Sequence, residues 1–237
     1  DPGFSDVLYD KDDTDPYRLL PFRSPNSLKV FKYAQQLAAE KTRRPESDVV
    51  SMLAGSDDLT PREFQTFFLL LVIAGNETTR HSLSHGALAL AEFPDQLHRL
   101  RENPNLIDTA SEEVLRWACP QIHFRRTATG DTTLAGVPIS AGDKVVTWYI
   151  SANYDESAFT DPFTLDLGRD PNPHVTFGGG GPHICLGAWL ARLEVRVFLD
   201  EVAKRIDRIH LVGKPERIRS NFINGLKYLP LELEAIN

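Results

Sequence analysis

The segment between Thr60 and Pro94 constrains this chain more than any other. Thr60-Pro61-Arg62-Glu63 sets a hydroxyl at a helix cap, a proline at the first helical position and a carboxylate three residues after the cap. No further proline interrupts the pattern before Pro94. The spacing predicts about 32 helical residues, a rod of roughly 48 Å, several times the length of an ordinary helix. Its first half, Phe64 to Ile73, is apolar nearly all round, and such a surface is expected to be buried. The helix therefore reads as the central pillar of a domain. Its longest apolar run, Phe67 to Gly75, is less than half of the roughly 20 residues that cross a bilayer, so no membrane span is expected.

The remaining elements follow from local pattern. Residues 1–58 read as a loop and helix leading into the core: Asp and Pro are dense from Asp1 to Pro25, and Leu28, Phe31, Ala34, Leu37 and Ala38 form one stripe of a helix from Ser27 to Thr42. Short helices are predicted after Pro94 and from Thr109, where Thr109 and Glu112 have capping-box spacing and Pro120 marks the end. Alternation around Gly130, Gly136 and Gly142 predicts a small β-meander over residues 121–150, and the Asp- and Pro-rich residues 154–176 an irregular loop. A last helix is expected from Leu186 to Ile206, then a hairpin turning at Asn224-Gly225. The fold class is thus mainly α with small β-sheets. Trp117, Trp148 and Trp189 read as packing residues, Cys119 as a small buried thiol, and Asn153, Asp155 and Glu156 as loop caps.

Composition excludes several functions. Apolar residues make up 41% and charged residues 25% of the 237, the mix of a soluble globular chain. With 26 basic against 33 acidic side chains the net charge is −7, which argues against a general nucleic-acid binder. Two cysteines, Cys119 and Cys185, are too few for a disulfide scaffold or a four-thiolate zinc site. No export signal opens the sequence, and a reducing, cytoplasmic setting is expected.

The densest chemistry lies in Phe177-Gly-Gly-Gly-Gly-Pro-His183-Ile-Cys185-Leu-Gly187. Consecutive glycines suit a backbone that approaches something large and flat, and the cysteine directly precedes a predicted helix, whose N-terminal amides favour negative charge. A glycine-rich turn beside a structural cysteine would look similar. A phosphate loop lacks its Lys-Ser or Lys-Thr. A cysteine nucleophile with His183 or His174 as base is a further option, but apolar flanks suit a metal ligand better.

In these residues the chain resembles the cytochrome P450 family of haem-thiolate monooxygenases. Phe177, Gly178, Gly181, His183, Cys185 and Gly187 match the family loop with one extra glycine, as in a bacterial subgroup acting on sterols and long or branched aliphatic chains. Glu113-x-x-Arg116 matches a second motif, completed by Arg169 after Asp161-Pro162-Phe163, and Ala74-Gly75-Asn76-Glu77-Thr78-Thr79 a third. The resemblance implies the C-terminal portion of that fold: residues 1–237 would form the C-terminal part of one haem-binding monooxygenase domain, without the N-terminal helices that cover one haem edge and roof the pocket. It implies haem b, with Cys185 as axial ligand to the iron, His183 and Arg126 on the propionates, and Phe177, Gly178, Gly187 and Ala74 against the macrocycle. It assigns Glu77 and Thr78 to proton delivery, on a stretch expected to bulge, and Glu113, Arg116 and Arg169 to a structural cluster.

By position, Leu70, Ile73, Ile122, Phe124 and Ile223 would line an apolar substrate pocket. The reaction implied is hydroxylation of a hydrophobic lipid with dioxygen, fed by a ferredoxin-type partner and its reductase. Arg192 and Arg196, one turn apart, suit either an acidic ferredoxin or a solvated helix face. A haem-thiolate peroxygenase or isomerase, or a non-catalytic fragment, is the competing expectation.

Overall fold

A computed structural model describes residues 25–236; the Asp-rich start expected as a loop lies outside them. The chain divides into two compact units, up to Glu77 and from Thr78 onward, and the division falls inside the long helix.

In the first unit, helix α1 (Pro25–Arg43) and the short α2 (Val49–Ala54) precede the first half of α3 (Pro61–Glu92). The α3 cap forms as its sequence predicts: the Thr60 N–H donates to the Glu63 carboxylate at 2.9 Å, and the Glu63 N–H to the Thr60 hydroxyl at 3.3 Å. Asp48 caps α2 by accepting from the Ser51 N–H at 2.7 Å. Val30 and Ala34 of α1 are buried with Phe64, Phe68 and Leu69 of α3. Leu28, expected in the α1 stripe, is exposed instead. It sits two residues before Val30, on the far side of a 100° repeat. Burial of the first half of α3 is likewise one-sided, and Leu70 remains 58% exposed.

The second unit packs four helical segments together. These are the last part of α3, α4 (Pro94–Glu102), α5 (Ile107–Ala118) and α7 (Ala188–Arg205). Leu90, Leu97, Leu100, Val114, Leu115, Val195 and Leu199 form the core, with Leu165 and Leu167 from the irregular loop. Helix α5 begins at Ile107, two residues before the expected cap. The Thr109 hydroxyl donates to the Leu106 and Leu167 carbonyls, and Glu112 turns to other partners, so no capping box forms there. The helix ends at Cys119, in the left-handed conformation (φ 34°), just before Pro120.

Residues 121–150 are not a meander but two nested hairpins. Strand β1 (His123–Thr127) pairs antiparallel with β4 (Lys144–Trp148), and β2 (Thr132–Leu134) with β3 (Val137–Ile139) inside them. Ala135 (φ 48°) and Gly136 (φ 80°) supply the two positive φ angles of the inner turn. The one-turn α6 (Tyr149–Asn153) follows.

At the chain end β5 (Ile206–Leu211) pairs with β8 (Leu231–Ala235), and β6 (Glu216–Arg217) with β7 (Leu226–Tyr228). Asn224-Gly225 lies at the end of the β6–β7 connection rather than at the tip of a tight turn. Its neighbour Ile223 bridges to Gln121 instead of a hairpin partner. No helix among the described residues is long and apolar enough to cross a membrane.

Candidate functional site

The cysteine loop runs into α7 with Cys185 at its exposed end. Gly178, Gly180 and Gly181 all take left-handed φ angles, 94°, 98° and 77°, which side-chain-bearing residues rarely adopt. Three backbone bonds fix the loop: the Gly178 N–H donates to Val175 O at 2.8 Å, the Ile184 N–H to Gly181 O at 3.1 Å and the Cys185 N–H to Phe177 O at 3.0 Å. Ile184, Leu186, Leu190 and Leu193 around the cysteine are exposed, and Trp189, expected to be packed, is 82% exposed. Cys119 differs in every respect: it is buried, and burial pushes its thiol up to about 12.

An ionic cluster of Glu113, Arg116 and Arg169 anchors the irregular loop. Glu113 and Arg116, both 0% exposed, pair through two hydrogen bonds of 2.8 Å. Arg169 adds a bond of 3.1 Å to Glu113 and donates to the carbonyls of Thr160, Asp161 and Thr164. Arg116 also donates to the carbonyls of Asn153 and Pro162. Asn153, buried, reaches Arg116 O and the Thr176 hydroxyl and accepts from the Val175 N–H. Three residues of the α5–α6 region thereby hold both ends of the segment that delivers Cys185.

A second network went unnoticed in the sequence. Glu112 accepts from Arg192 Nε at 2.7 Å and Nη2 at 3.0 Å, and lies 2.9 Å from His174 Nε2. Burial raises the Glu112 pKa, but the His174 and Arg192 hydrogen bonds outweigh it and hold the group at about 2. The Arg192 guanidinium also lies 4.6 Å from the centre of the Phe177 ring. Arg196 pairs with Asp108 at 3.1 Å. Both arginines considered for an acidic partner are therefore engaged within the chain.

Ile122, Phe124 and Ile223 come together. Ile122 N–H donates to Phe222 O at 3.0 Å, the Phe124 ring lies 5.8 Å from that of Phe222, and Ile223 is buried. Two histidines of α3 seat this loop: His85 Nε2 meets Asn224 O at 3.1 Å, and the Leu226 N–H donates to His81 Nδ1 at 3.3 Å. Phe124 and Arg126 share a face of β1 because side chains alternate, and both are exposed, as is His183. Arg126 donates to Arg125 O at 3.1 Å.

The Ala74–Thr79 stretch lies in an unbroken α3, so the expected bulge does not interrupt the helix. One glycine and two threonines cost about 2 kcal/mol in propensity, too little to break a helix of 32 residues. Glu77 is buried, Thr78 half-buried, Ile73 half-buried and Ala74 exposed. A Cβ added at Gly75 would meet nothing within 4 Å among the described residues.

The donor set suits a haem. A single soft sulfur stands exposed among apolar side chains, on a glycine loop with no Cβ over it at Gly179, Gly180 or Gly181. The Arg126 guanidinium on β1 and the His183 ring in the loop, both suited to propionates, are exposed. Among the described residues no group of three or more His, Cys, Asp or Glu is placed to hold a bare metal ion.

Comparison with known proteins points to the same cofactor. The cytochrome P450 family model matches residues 29–207. The chain belongs to the cytochrome P450 family, whose cofactor is haem b. It is 47% identical over 210 residues to the methyl-branched lipid omega-hydroxylase of Mycobacterium tuberculosis H37Rv, covering 86% of this chain and 49% of that enzyme. It is 44% identical over 214 residues to the steroid C26-monooxygenase of Rhodococcus jostii RHA1, covering 88% of this chain and 45% of that enzyme. Among solved structures, a Mycobacterium marinum cytochrome P450 in complex with pseudoionone superposes with a TM-score of 0.86 at 42% identity, covering 96% of this chain and 57% of that one. The chain spans about half the length of the curated relatives it matches.

Proposed function

We propose that this chain carries the oxygen-activating centre of a haem-thiolate monooxygenase that hydroxylates a hydrophobic lipid: a sterol, or a long or branched aliphatic chain. The observation that carries the reading is Cys185, held by its N–H on Phe177 O at the exposed end of a loop with three left-handed glycines. The relatives named for methyl-branched lipid and steroid substrates support the lipid class. The setting is cytoplasmic, and a ferredoxin-type partner with its reductase supplies two electrons.

Haem b, when bound, supplies the oxidising power that places one atom of dioxygen into a C–H bond. The protein's own groups do the rest. Cys185 Sγ would be the protein atom that holds the haem iron, and a thiolate there would supply the electron density that favours O–O cleavage. Arg126 and His183 would bind the propionates, Gly178 and Gly187 would present little bulk to the macrocycle, and the Phe177 ring would pack beside the sulfur. Glu77 and Thr78 Oγ1 would form the path along which protons are delivered. Ile122, Phe124 and Ile223 would bind the apolar chain and exclude water from it. Glu113, Arg116 and Arg169 keep the segment leading to Cys185 in place.

The test is turnover by a haem-loaded enzyme of the relatives' full length that carries these 237 residues, given ferredoxin, reductase and either a methyl-branched fatty acid or a sterol. Hydroxylated product is expected. Thr78→Ala should bind the lipid unchanged yet divert reducing equivalents to peroxide or water. Undiminished coupling in Thr78→Ala would remove the proton role. Turnover driven by peroxide but not by ferredoxin would replace the monooxygenase with a peroxygenase.

A further inference from the structure

Arg192 is the residue on α7 best placed by sequence to meet an acidic partner, yet its guanidinium is already committed on two sides. Its Nε and Nη2 grip the two oxygens of Glu112, a fork-to-fork arrangement that fixes the plane of the guanidinium. Its flat face then lies over the Phe177 ring at 4.6 Å. On the other side of Glu112 stands His174, whose side chain is 3% exposed.

The hydrogen-bond pattern fixes the state of that ring. The Thr176 N–H donates to His174 Nδ1 at 3.3 Å, so Nδ1 is an acceptor and the proton sits on Nε2, facing Glu112 at 2.9 Å. His174 Nε2 donates to the carboxylate. Its own backbone neighbours are also pinned, because the Thr176 hydroxyl donates to Leu115 O at 3.0 Å. The His174 and Phe177 rings lie 6.0 Å apart. Phe177 is thus bracketed by Arg192 and His174, both anchored on one carboxylate of α5, and its carbonyl accepts the Cys185 N–H at 3.0 Å.

We propose that Glu112, Arg192 and His174 are positioning residues that clamp Phe177 and thereby hold the Cys185 amide and sulfur in place for the iron. The inference rests on the haem-thiolate reading and deepens it. It also turns Arg192 from a docking residue into part of the support for the ligand loop. Lysine cannot replace it fully, since an ammonium lacks the planar fork.

Two measurements separate this inference from the reading beneath it. In the haem-free chain, amide hydrogen exchange at Cys185 should accelerate about tenfold in Arg192→Ala, equivalent to about 1.4 kcal/mol. Core amides of α5 and α7 should keep their protection. Arg192→Lys should fall between the two, and it preserves the test if the alanine variant folds poorly. In the haem-loaded chain, the same variants should convert part of the reduced carbonyl complex from the thiolate-type to the thiol-type spectrum, with no electron-transfer partner present. Unchanged Cys185 exchange in both variants would overturn the clamp even if the wild-type spectrum is thiolate-type. A change confined to ferredoxin affinity would overturn it too and restore Arg192 as a docking residue. Faster exchange in a chain whose wild-type haem spectrum is not thiolate-type would uphold the clamp on the loop and reject the iron-ligand reading instead.

Discussion

Glu113→Gln should be among the most damaging single changes in this chain. The side chain is 0% exposed and accepts five hydrogen bonds: Arg116 Nε and Nη2 at 2.8 Å each, Arg169 Nε at 3.1 Å, Asn172 Nδ2 at 3.0 Å and the Asp166 N–H at 3.1 Å. Glutamine keeps the shape but removes the charge and sets an NH₂ against donors that need an acceptor. The Arg116 guanidinium, also 0% exposed, then remains as a buried cation without its counter-charge. Breaking a buried pair by altering one partner costs about 3–5 kcal/mol, a large part of the roughly 5–15 kcal/mol that holds a typical fold. With a urea dependence of about 2 kcal/mol per molar, the unfolding midpoint should fall by roughly 2 M. The assay is urea unfolding followed by far-UV circular dichroism. Asp108→Asn is the control, since its pair with Arg196 is solvent-exposed and contributes less than about 1 kcal/mol. A midpoint for Glu113→Gln within 0.5 M (roughly 1 kcal/mol) of that control would refute the reasoning.

Three further outcomes follow from the same geometry. Cys119, with its thiol pushed up to about 12 by burial, should resist iodoacetamide at mildly alkaline pH while exposed Cys185 reacts; mass spectrometry of the folded chain should find one adduct, and rapid double labelling would contradict the structure. Gly225→Ala should cost about 1–3 kcal/mol, because the new Cβ would stand 2.6 Å from His81 Nε2 and 2.7 Å from Ile218 Cδ1, whereas Gly179→Ala meets nothing; equal melting temperatures would count against the packed loop. Burial, helped by Arg80 at His81 and by Arg217 at His85, lowers both histidines to about 4. The unfolded chain then takes up protons from pH 6.5 downward that the folded chain refuses, so this stability is complete above 6.5 and lost as pH falls to 4. Melting temperature against pH should show that slope and flatten in His85→Asn; a parallel profile in the variant would reject it.

How much of this was legible in the sequence depended on whether the signal was local. The α3 cap formed as written because Thr60 and Glu63 bond only to each other and their own backbone. The spacing of three made a Glu113–Arg116 ion pair legible but not its burial, and Arg169 was reached only through the family resemblance. The same reasoning failed at Thr109 and Glu112, which have the spacing of a cap but spend their polar atoms on Leu167 O, His174 and Arg192. Those partners are far away in the chain, and spacing cannot report them. The strand region shows the same limit. Alternation located β1 and β4, but nested pairing is set by which strands meet, so the expected meander was wrong. At Asn224-Gly225 the turn signal was outweighed by His85, Arg217 and the Ala118 carbonyl, which hold Asn224 in an extended connection.

The most direct test of the account is the reduced carbon-monoxide difference spectrum of the purified, haem-loaded chain, in three forms. The wild type and Cys119→Ser should both give the long-wavelength band of a thiolate-ligated carbonyl complex, and Cys185→Ser should lose it. Loss of the band in Cys119→Ser with its retention in Cys185→Ser would contradict the assignment of Cys185, the exposed thiol that this loop is built to present.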